Sequence, residues 1–498
     1  MILPSCLARK GKKIYYILDI HGKFIVKKEL VKMKILCAMA LAFFLLIGNM
    51  SLTAAAPIPL RGIVEGFYGT PWSQADRLDM LRFCQREGLN AYIYAPKDDP
   101  YHRAKWREPY PPEKLAEMSR LIEEAKASQV RFIFAVSPGL DIHFRGTAGE
   151  RDKRAMREKL TAMYELGVRD FAIFFDDIEN KDGKGQAAFL NWLEENFVKT
   201  HQDIAPLLTV PTEYFREDML SDGQTKTYTE DFSTNLNKDI MVLYTGEKVV
   251  PDGLTDEDYQ KANKLYHRQL GLWWNYPVSD YLPQKLALGP IEKLPRQEKL
   301  PAIFFNPMQY AGLSKISLIT GAKYAKNPER YNAHKAWKQA LKKEYGHLAP
   351  DMERFADHSQ HMKVSWAEIG PEDGQKMRSL ADAYWQARQS GRKHKTAKAR
   401  RKLTKELKQL DKSLNSLMTR LPPERVIEFL PQLDQLRRIV KADLLGLSLL
   451  SGEQDKAAAF EEVLAEVKAN DAQAIISEKS ARALLTEIDE ARRQSKSE

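Results

Sequence analysis

The stretch FAIFFDDIEN, Phe171 to Asn180, begins as an apolar run and then sets Asp176 beside Asp177. Alternation along a strand puts Phe171, Ile173 and Phe175 on one face and Ala172, Phe174 and Asp176 on the other. A strand apolar on both faces belongs in a sheet that is covered on both sides. Its end carries one carboxylate on the inner face and a second at the exit, and two environments separate the proton affinities of two identical groups. Taken alone, the pair fits a helix cap or a divalent-ion site equally well.

Working outward, seven similar runs occur: GIVEG (62–66), AYIYAP (91–96), RFIFAVSP (131–138), PLLTVPTEY (206–214), DIMVLYTG (239–246), GLWWNYP (271–277) and PAIFFNP (301–307). Helical patterns fill most of the gaps, for example QADRLDMLRFCQREG and DKRAMREKLTAMYELG, each closed by Gly. Eight alternations of strand and helix predict a TIM (β/α)8 barrel, an α/β fold, over residues 58–340. The polar residues at the strand ends, Glu65, Lys97, Asp98, Asp176, Asp177, Glu213, Tyr214, Asn275, Asp280 and Asn306, are then expected to converge on one rim, where barrel enzymes place their chemistry. After about residue 345 the strand patterns stop, and MRSLADAYWQARQS, AKARRKLTKELKQLDKSLNSLMTRL and LPQLDQLRRIVKADLLGLSLLS predict an all-α bundle over 345–498.

The formal net charge of +10 is concentrated at the front, because residues 1–56 hold nine Lys or Arg against Asp19 and Glu29, leaving +3 for residues 57–498. That balance argues against nucleic acid as a partner. From Met33 the chain reads MKILCAMALAFFLLIGNMSLTAAAP, a Lys, an apolar run and small residues, which is the layout of a secretory signal peptide. Export to the periplasm or the medium is expected, with no membrane contact beyond that segment. Cys6 and Cys37 lie in this leader and Cys84 alone remains after it, in a helical pattern that reads as core.

PTEY, WWNYPVSDY and FFNP bring aromatic, amide and carboxylate groups to the expected rim. Aromatic faces stack on sugar rings while Asn and Asp hold hydroxyls, whereas a phosphate ligand calls for Gly-rich loops. Neither a P-loop nor a GxGxxG fingerprint is present. Alternation turns at least one of Trp273 and Trp274 away from the pocket. His102 and His143 stand in no metal-ligand spacing, so no metal is expected. The segment SGRKHKTAKARRKLTKELK reads as a solvated helix face, with a grip on an anionic polymer as the other reading.

RGIVEGFYGTPW, YIYAPKDDPYHRAKWREPYP, FAIFFDDIE, TVPTEY, WWNYPVSDY and LALGP together closely resemble glycoside hydrolase family 84. The resemblance implies a cofactor-free, retaining β-N-acetylglucosaminidase in which the substrate's own 2-acetamido oxygen is the nucleophile, one of the exceptions to the two-carboxylate scheme. It gives Asp176 the acetamido N–H and the charge of the forming oxazoline, and Asp177 the role of general acid and base, with a pKa expected near the working pH. It also implies that Gly66 and Lys97 contact the sugar, that Tyr214 and Trp273 bound the acetamido pocket, and that Asn275, Asp280 and Asn306 hold hydroxyls and neighbouring polar positions. The implied partner is a glycan or glycoprotein bearing terminal N-acetylglucosamine; apart from the resemblance, a helical domain that docks a partner protein or positions a glycan is a third reading. Hyaluronan-like polymers are the alternative substrate, and a sugar-binding protein without turnover is the reading from another class. Two departures stand out: the leader reaches Arg61 without the extra α/β domain of many secreted relatives, and Phe174-Phe175 precede the Asp pair where relatives often carry a Tyr-Trp or similar pair.

Overall fold

Each apolar run forms a strand because its alternate side chains have two different cores to enter. In the computed structural model, which describes residues 56–497, the eight barrel strands are β1 (Leu60–Glu65), β2 (Ala91–Tyr94), β3 (Arg131–Val136), β4 (Asp170–Phe174), β5 (Leu208–Val210), β6 (Met241–Tyr244), β7 (Gly271–Trp274) and β8 (Ala302–Phe305). The expected leader and its signal pattern, up to Ala55, lie outside the described residues. The strands are parallel in chain order, and β1 pairs with both β2 and β8, so the sheet closes.

Val64, Ile93, Ala135, Phe174, Val210, Leu243 and Phe304 fill the barrel interior, while their neighbours Ile63, Tyr92, Phe134, Ile173, Val242 and Phe305 face the surrounding helices. Trp273 joins the inner layer and Trp274 the outer one, as alternation requires. The strands stop short of the apolar runs: β5 ends at Val210, so Thr212, Glu213 and Tyr214 belong to the loop beyond it.

Outer helices follow most strands: α1 (Gln74–Glu87), α2 (Pro112–Ala127), α3 (Gly146–Leu166), α4 (Gly183–Asn196), α5 (Thr227–Asn235), α6 (Asp256–Tyr266) and α7 (Ala311–Lys326). Local chemistry explains their ends. Ser73 and Asp76 form a capping box at the start of α1, and Gly88, at φ +76°, closes it in a conformation that side chains rarely adopt. One of the eight expected alternations, the seventh, fails, since residues 275–301 between β7 and β8 hold no helix. Pro277, Pro283, Pro290, Pro295 and Pro301 punctuate that segment and deny a helix its hydrogen bonds.

Beyond the barrel come α8 (Ala333–Tyr345) and α9 (Ala349–Ala356), then α10 (Gln375–Gln389), α11 (Lys393–Arg420), α12 (Leu430–Leu449), α13 (Ala457–Asn470) and α14 (Ala481–Ser497). Strand structure does not end at 345, because β9 (Met362–Val364) and β10 (Ala367–Ile369) make an antiparallel hairpin. None of the described helices is long and apolar enough to cross a membrane. Barrel and helices share one compact unit. They are tied by polar contacts: Lys285, 1% exposed, pairs with Asp373 at 2.8 Å and with Glu478, and Glu428 accepts from the N–H groups of Gly312 and Leu313 at the start of α7.

Candidate active site

The β4 alternation sends Asp176 up the barrel axis and releases Asp177 at the exit, where its φ of +54° turns the chain sharply. A non-glycine residue in that region is uncommon and costs energy that surrounding contacts must supply. Here the contacts are visible. Arg103 Nη2 donates to the Asp177 main-chain oxygen at 3.0 Å, Tyr68 Oη donates to Asp177 Oδ2 at 2.7 Å, and Tyr214 Oη donates to Asp177 Oδ1 at 2.9 Å. Arg103 also donates to Tyr68 Oη at 3.0 Å, so guanidinium, phenol and carboxylate form one chain.

Asp176, 6% exposed, is ion-paired with Lys97 through Oδ2. Its Oδ1 is buried with no hydrogen-bond partner among the described residues. A buried carboxylate oxygen without a donor is costly, and a ligand N–H or O–H at that point relieves the cost.

Around the two acids lies a pocket of about 330 Å³, lined by all nine residues that sequence reading assigned to a site: Gly66, Lys97, Asp176, Asp177, Tyr214, Trp273, Asn275, Asp280 and Asn306. Trp273 stands edge-on to Phe174 at 5.4 Å between ring centres and donates from Nε1 to Asn275 Oδ1 at 2.8 Å. Asn306 Nδ2 donates to the same oxygen at 3.0 Å, and Gly66 N donates to Asn306 Oδ1 at 3.3 Å. A Cβ on Gly66 would come within 2.4 Å of the Trp273 ring, so the absence of a side chain is what lets the indole occupy the pocket wall. Asp280 accepts from Tyr68 N at 2.8 Å, and burial, together with the neighbouring charge of Asp177, pushes its pKa up.

The Asp177 carboxyl departs from expectation. Loss of solvent raises its pKa, but the Lys97 charge, the two phenol hydroxyls and the Arg103 charge outweigh that, and the net position is below the ordinary carboxylate value. Burial and the adjacent Asp177 charge push both Tyr68 and Tyr214 far up, so they stay protonated donors.

Not every expected rim residue reaches the pocket. Glu65 points outward from β1 to pair with Arg77, Nη2 at 2.8 Å, and to accept from Trp72 N at 3.2 Å. Glu213 turns to Lys181 and Thr229, and Asp98 accepts from Gly69 N at 2.8 Å. Three residues that sequence reading missed do matter: Tyr68 and Arg103, both inside quoted motifs, and Trp366. The last sits at the tip of the β9–β10 hairpin, is 50% exposed, and lies 5.3 Å between ring centres from Tyr281 at the pocket mouth.

His102 is buried and bonded through Nδ1 to the Ala135 carbonyl, while His143 pairs with Asp152 at 3.1 Å. Away from the pocket, His361, Glu368 and Glu372 bring ligand-type atoms within 4.8 Å of one another. Their carboxylates are already engaged by Lys363 at 2.6 Å and by Lys479. Cys84 is buried, and desolvation pushes its thiol up, away from reactivity.

A sequence model of the beta-N-acetylglucosaminidase family matches residues 61–357, and one described as hyaluronidase post-catalytic domain-like matches residues 376–485. The protein O-GlcNAcases of Mus musculus and Rattus norvegicus are each 34% identical to this chain over 260 residues, 50% of this chain but 28% of theirs, so the match spans under a third of those relatives. The structure of CpGH84B superposes with a TM-score of 0.81 at 36% identity, covering 87% of this chain and 77% of that one. A mutant of the Thermobaculum terrenum O-GlcNAc hydrolase superposes with a TM-score of 0.77 at 30% identity, covering 86% and 94%.

Proposed function

Since the chain belongs to the beta-N-acetylglucosaminidase family, glycoside hydrolase family 84, we propose that it is a retaining exo-β-N-acetylglucosaminidase that removes terminal β-linked N-acetylglucosamine, including O-GlcNAc on glycoproteins. The observation that carries this reading is the unlike surroundings of two adjacent carboxylates: Asp176 buried against Lys97 with an orphan Oδ1, Asp177 at the mouth under two phenol donors.

Asp176 Oδ1 accepts the acetamido N–H of the sugar, which turns the acetamido oxygen toward the anomeric carbon. As that oxygen attacks, positive charge grows on the forming oxazoline, and the Asp176 carboxylate stabilises it at short range in a site shielded from water. Trp273 and Tyr214 bound the acetamido methyl, and Asp280 with the Asn275–Asn306 pair holds hydroxyls, each able to accept or donate as the sugar requires. Asp177 delivers a proton to the departing oxygen and then takes one from the water that opens the oxazoline. A sugar seated over Asp177 excludes water and competes for the Tyr68 and Tyr214 hydroxyls, and both changes raise its pKa toward the value a general acid needs.

The reaction is placed outside the cytoplasm on the strength of the signal pattern from Met33, and detection of the processed chain in periplasmic or culture fractions tests it. The chemistry is tested by hydrolysis of an aryl N-acetyl-β-D-glucosaminide against the matching aryl β-D-glucoside, which lacks the internal nucleophile. Turnover confined to the N-acetyl sugar, falling by about 10²- to 10⁴-fold in Asp176→Asn and in Asp177→Asn, supports the reading. Equal turnover of both sugars removes the acetamido mechanism, and folded wild type without turnover makes the chain a sugar-binding protein.

A further inference from the structure

Helix α11 divides cleanly along its length. Leu403, Leu407, Leu410, Leu414 and Leu417 recur at three- and four-residue steps and are buried in the bundle. On the opposite face Lys398, Arg401, Lys402, Lys405, Lys408 and Lys412 follow the same steps, all exposed. At about 1.5 Å rise per residue they form a ridge roughly 21 Å long. Residues 390–420 hold eleven Lys or Arg against Glu406 and Asp411, a net +9, whereas the whole of 57–498 nets +3, so the remainder of that span is acidic.

Elsewhere cationic side chains are extensively paired, but none of these six has an ion-pair or hydrogen-bond partner among the described residues. Of the two acids on the helix, Glu406 faces inward to Arg354 at 3.1 Å and Lys376 at 2.6 Å and is not available to them, which leaves Asp411 alone against the ridge. The ridge is unfavourable on its own terms. Like charges three and four residues apart repel by about 0.2–0.5 kcal/mol per pair. The first turn adds Lys393 and Lys395 with no acidic residue and no side-chain cap, which opposes the helix dipole. The leucine face holds α11 in place despite this, and a local rule broken on one face is expected at functional positions.

We propose that this face of α11 binds a linear acidic polysaccharide, a glycan carrying repeated carboxylate or sulfate groups. Lysine predominates, which suits a row of point charges rather than fixed bidentate recognition. Phe, Tyr and Trp, on which single-stranded bases stack, do not occur between Lys393 and Arg420. No large apolar side chain is exposed on α11, so a lipid surface gains nothing by insertion. A pocket for an amino sugar on the same chain makes a glycan the consistent occupant, and to that extent the choice rests on the function proposed above. The ridge would hold a polymer near the enzyme independently of the bond being cut.

The test uses the full exported chain and an end-labelled heparin fragment followed by fluorescence anisotropy at about 0.15 M salt. Dextran, random duplex DNA and phosphatidylserine vesicles are run beside it. The comparison protein carries Lys398→Gln, Lys402→Gln, Lys405→Gln, Lys408→Gln and Lys412→Gln, exposed positions where Gln keeps helix propensity. Heparin binding by wild type, weakened at least tenfold in the variant, with the dependence of log affinity on log salt flattening by roughly 0.7–0.9 per charge removed, is the expected result. Three results overturn it: no heparin binding above dextran, duplex DNA or vesicles binding as tightly as heparin, or equal binding by the variant. Aryl N-acetylglucosaminide turnover is measured on both proteins; because it reports the barrel pocket alone, failure of the ridge and failure of the proposed hydrolysis are read separately.

Discussion

Arg103 Nη2 lies 3.0 Å from the main-chain oxygen of Asp177, and Asp177 is held there at φ +54°. One guanidinium thus stabilises the turn that presents the second carboxylate and, through Tyr68, the hydroxyl that bonds it. Replacing Arg103 with Met is expected to leave the fold intact and to lower kcat/KM for an aryl N-acetylglucosaminide by roughly 10- to 100-fold, the equivalent of losing about 1.5–3 kcal/mol of hydrogen bonding to charged groups. Steady-state kinetics alongside a thermal melt check this, and an unchanged kcat/KM removes Arg103 from a positioning role.

Tyr68 and Tyr214 each donate to ionised Asp177 and so favour its charged form. In the proposed reaction Asp177 holds its proton in the sugar complex, where its pKa is raised, so that pKa sets the basic limb of the kcat profile. Tyr68→Phe and Tyr214→Phe remove a donor to the charged form, raise that pKa, and should move the basic limb to higher pH by about one unit. A limb that stays put or moves down assigns the profile to another group.

Gly66→Ala drives a methyl group into the Trp273 ring. The indole must shift, and with it the Asn275–Asn306 pair that it bonds. A misplacement of this kind costs about 100-fold in kcat/KM, with secondary structure by circular dichroism unchanged. Activity within a factor of two of wild type means the wall yields freely and does not shape the site.

Lys285 is 1% exposed against Asp373, itself 3% exposed. Lys285→Met leaves a buried carboxylate without its cation and is expected to destabilise the unit by about 3–5 kcal/mol in urea unfolding, because the charge stays buried after its partner is gone. Lys285→Met with Asp373→Leu should recover much of that loss, and a single variant as stable as wild type shows the pair to be dispensable.

His102 and His358 are buried, and desolvation lowers each to about 4 from the usual 6.5. Between those values the unfolded chain binds more protons than the folded one, so stability is complete above pH 6.5 and is lost as pH falls through this window, on the order of 3 kcal/mol per histidine. Asp357 works against this: burial and the nearby carboxylates of Asp373 and Glu353 push it up to about 6, so its folded form retains a proton to higher pH. The readout is therefore a difference. His102→Asn and His358→Asn should each show a smaller loss between pH 7 and pH 5 than wild type does, and identical losses in all three proteins refute the assignment.

Local periodicity carried most of what the sequence determined. The alternation in FAIFFDD placed Ala172, Phe174 and Asp176 on the inner face, and the same rule separated Trp273 from Trp274, because strand geometry leaves a side chain two directions and burial decides between them. The leucine spacing of α11 was legible for the same reason. Tertiary structure alone decided which polar groups enter the pocket. Glu65 and Glu213 carry the same carboxylate as Asp176 at equally promising strand ends, yet Arg77 in α1 and Lys181 after β4 draw them away. Arg103, Tyr68 and Trp366 join the site through contacts 35 to 109 residues apart or through a hairpin tip that no local pattern marks. A backbone period constrains the direction of a side chain, but the choice of a partner for a charge or a phenol is an energy difference between distant groups, settled when the barrel closes.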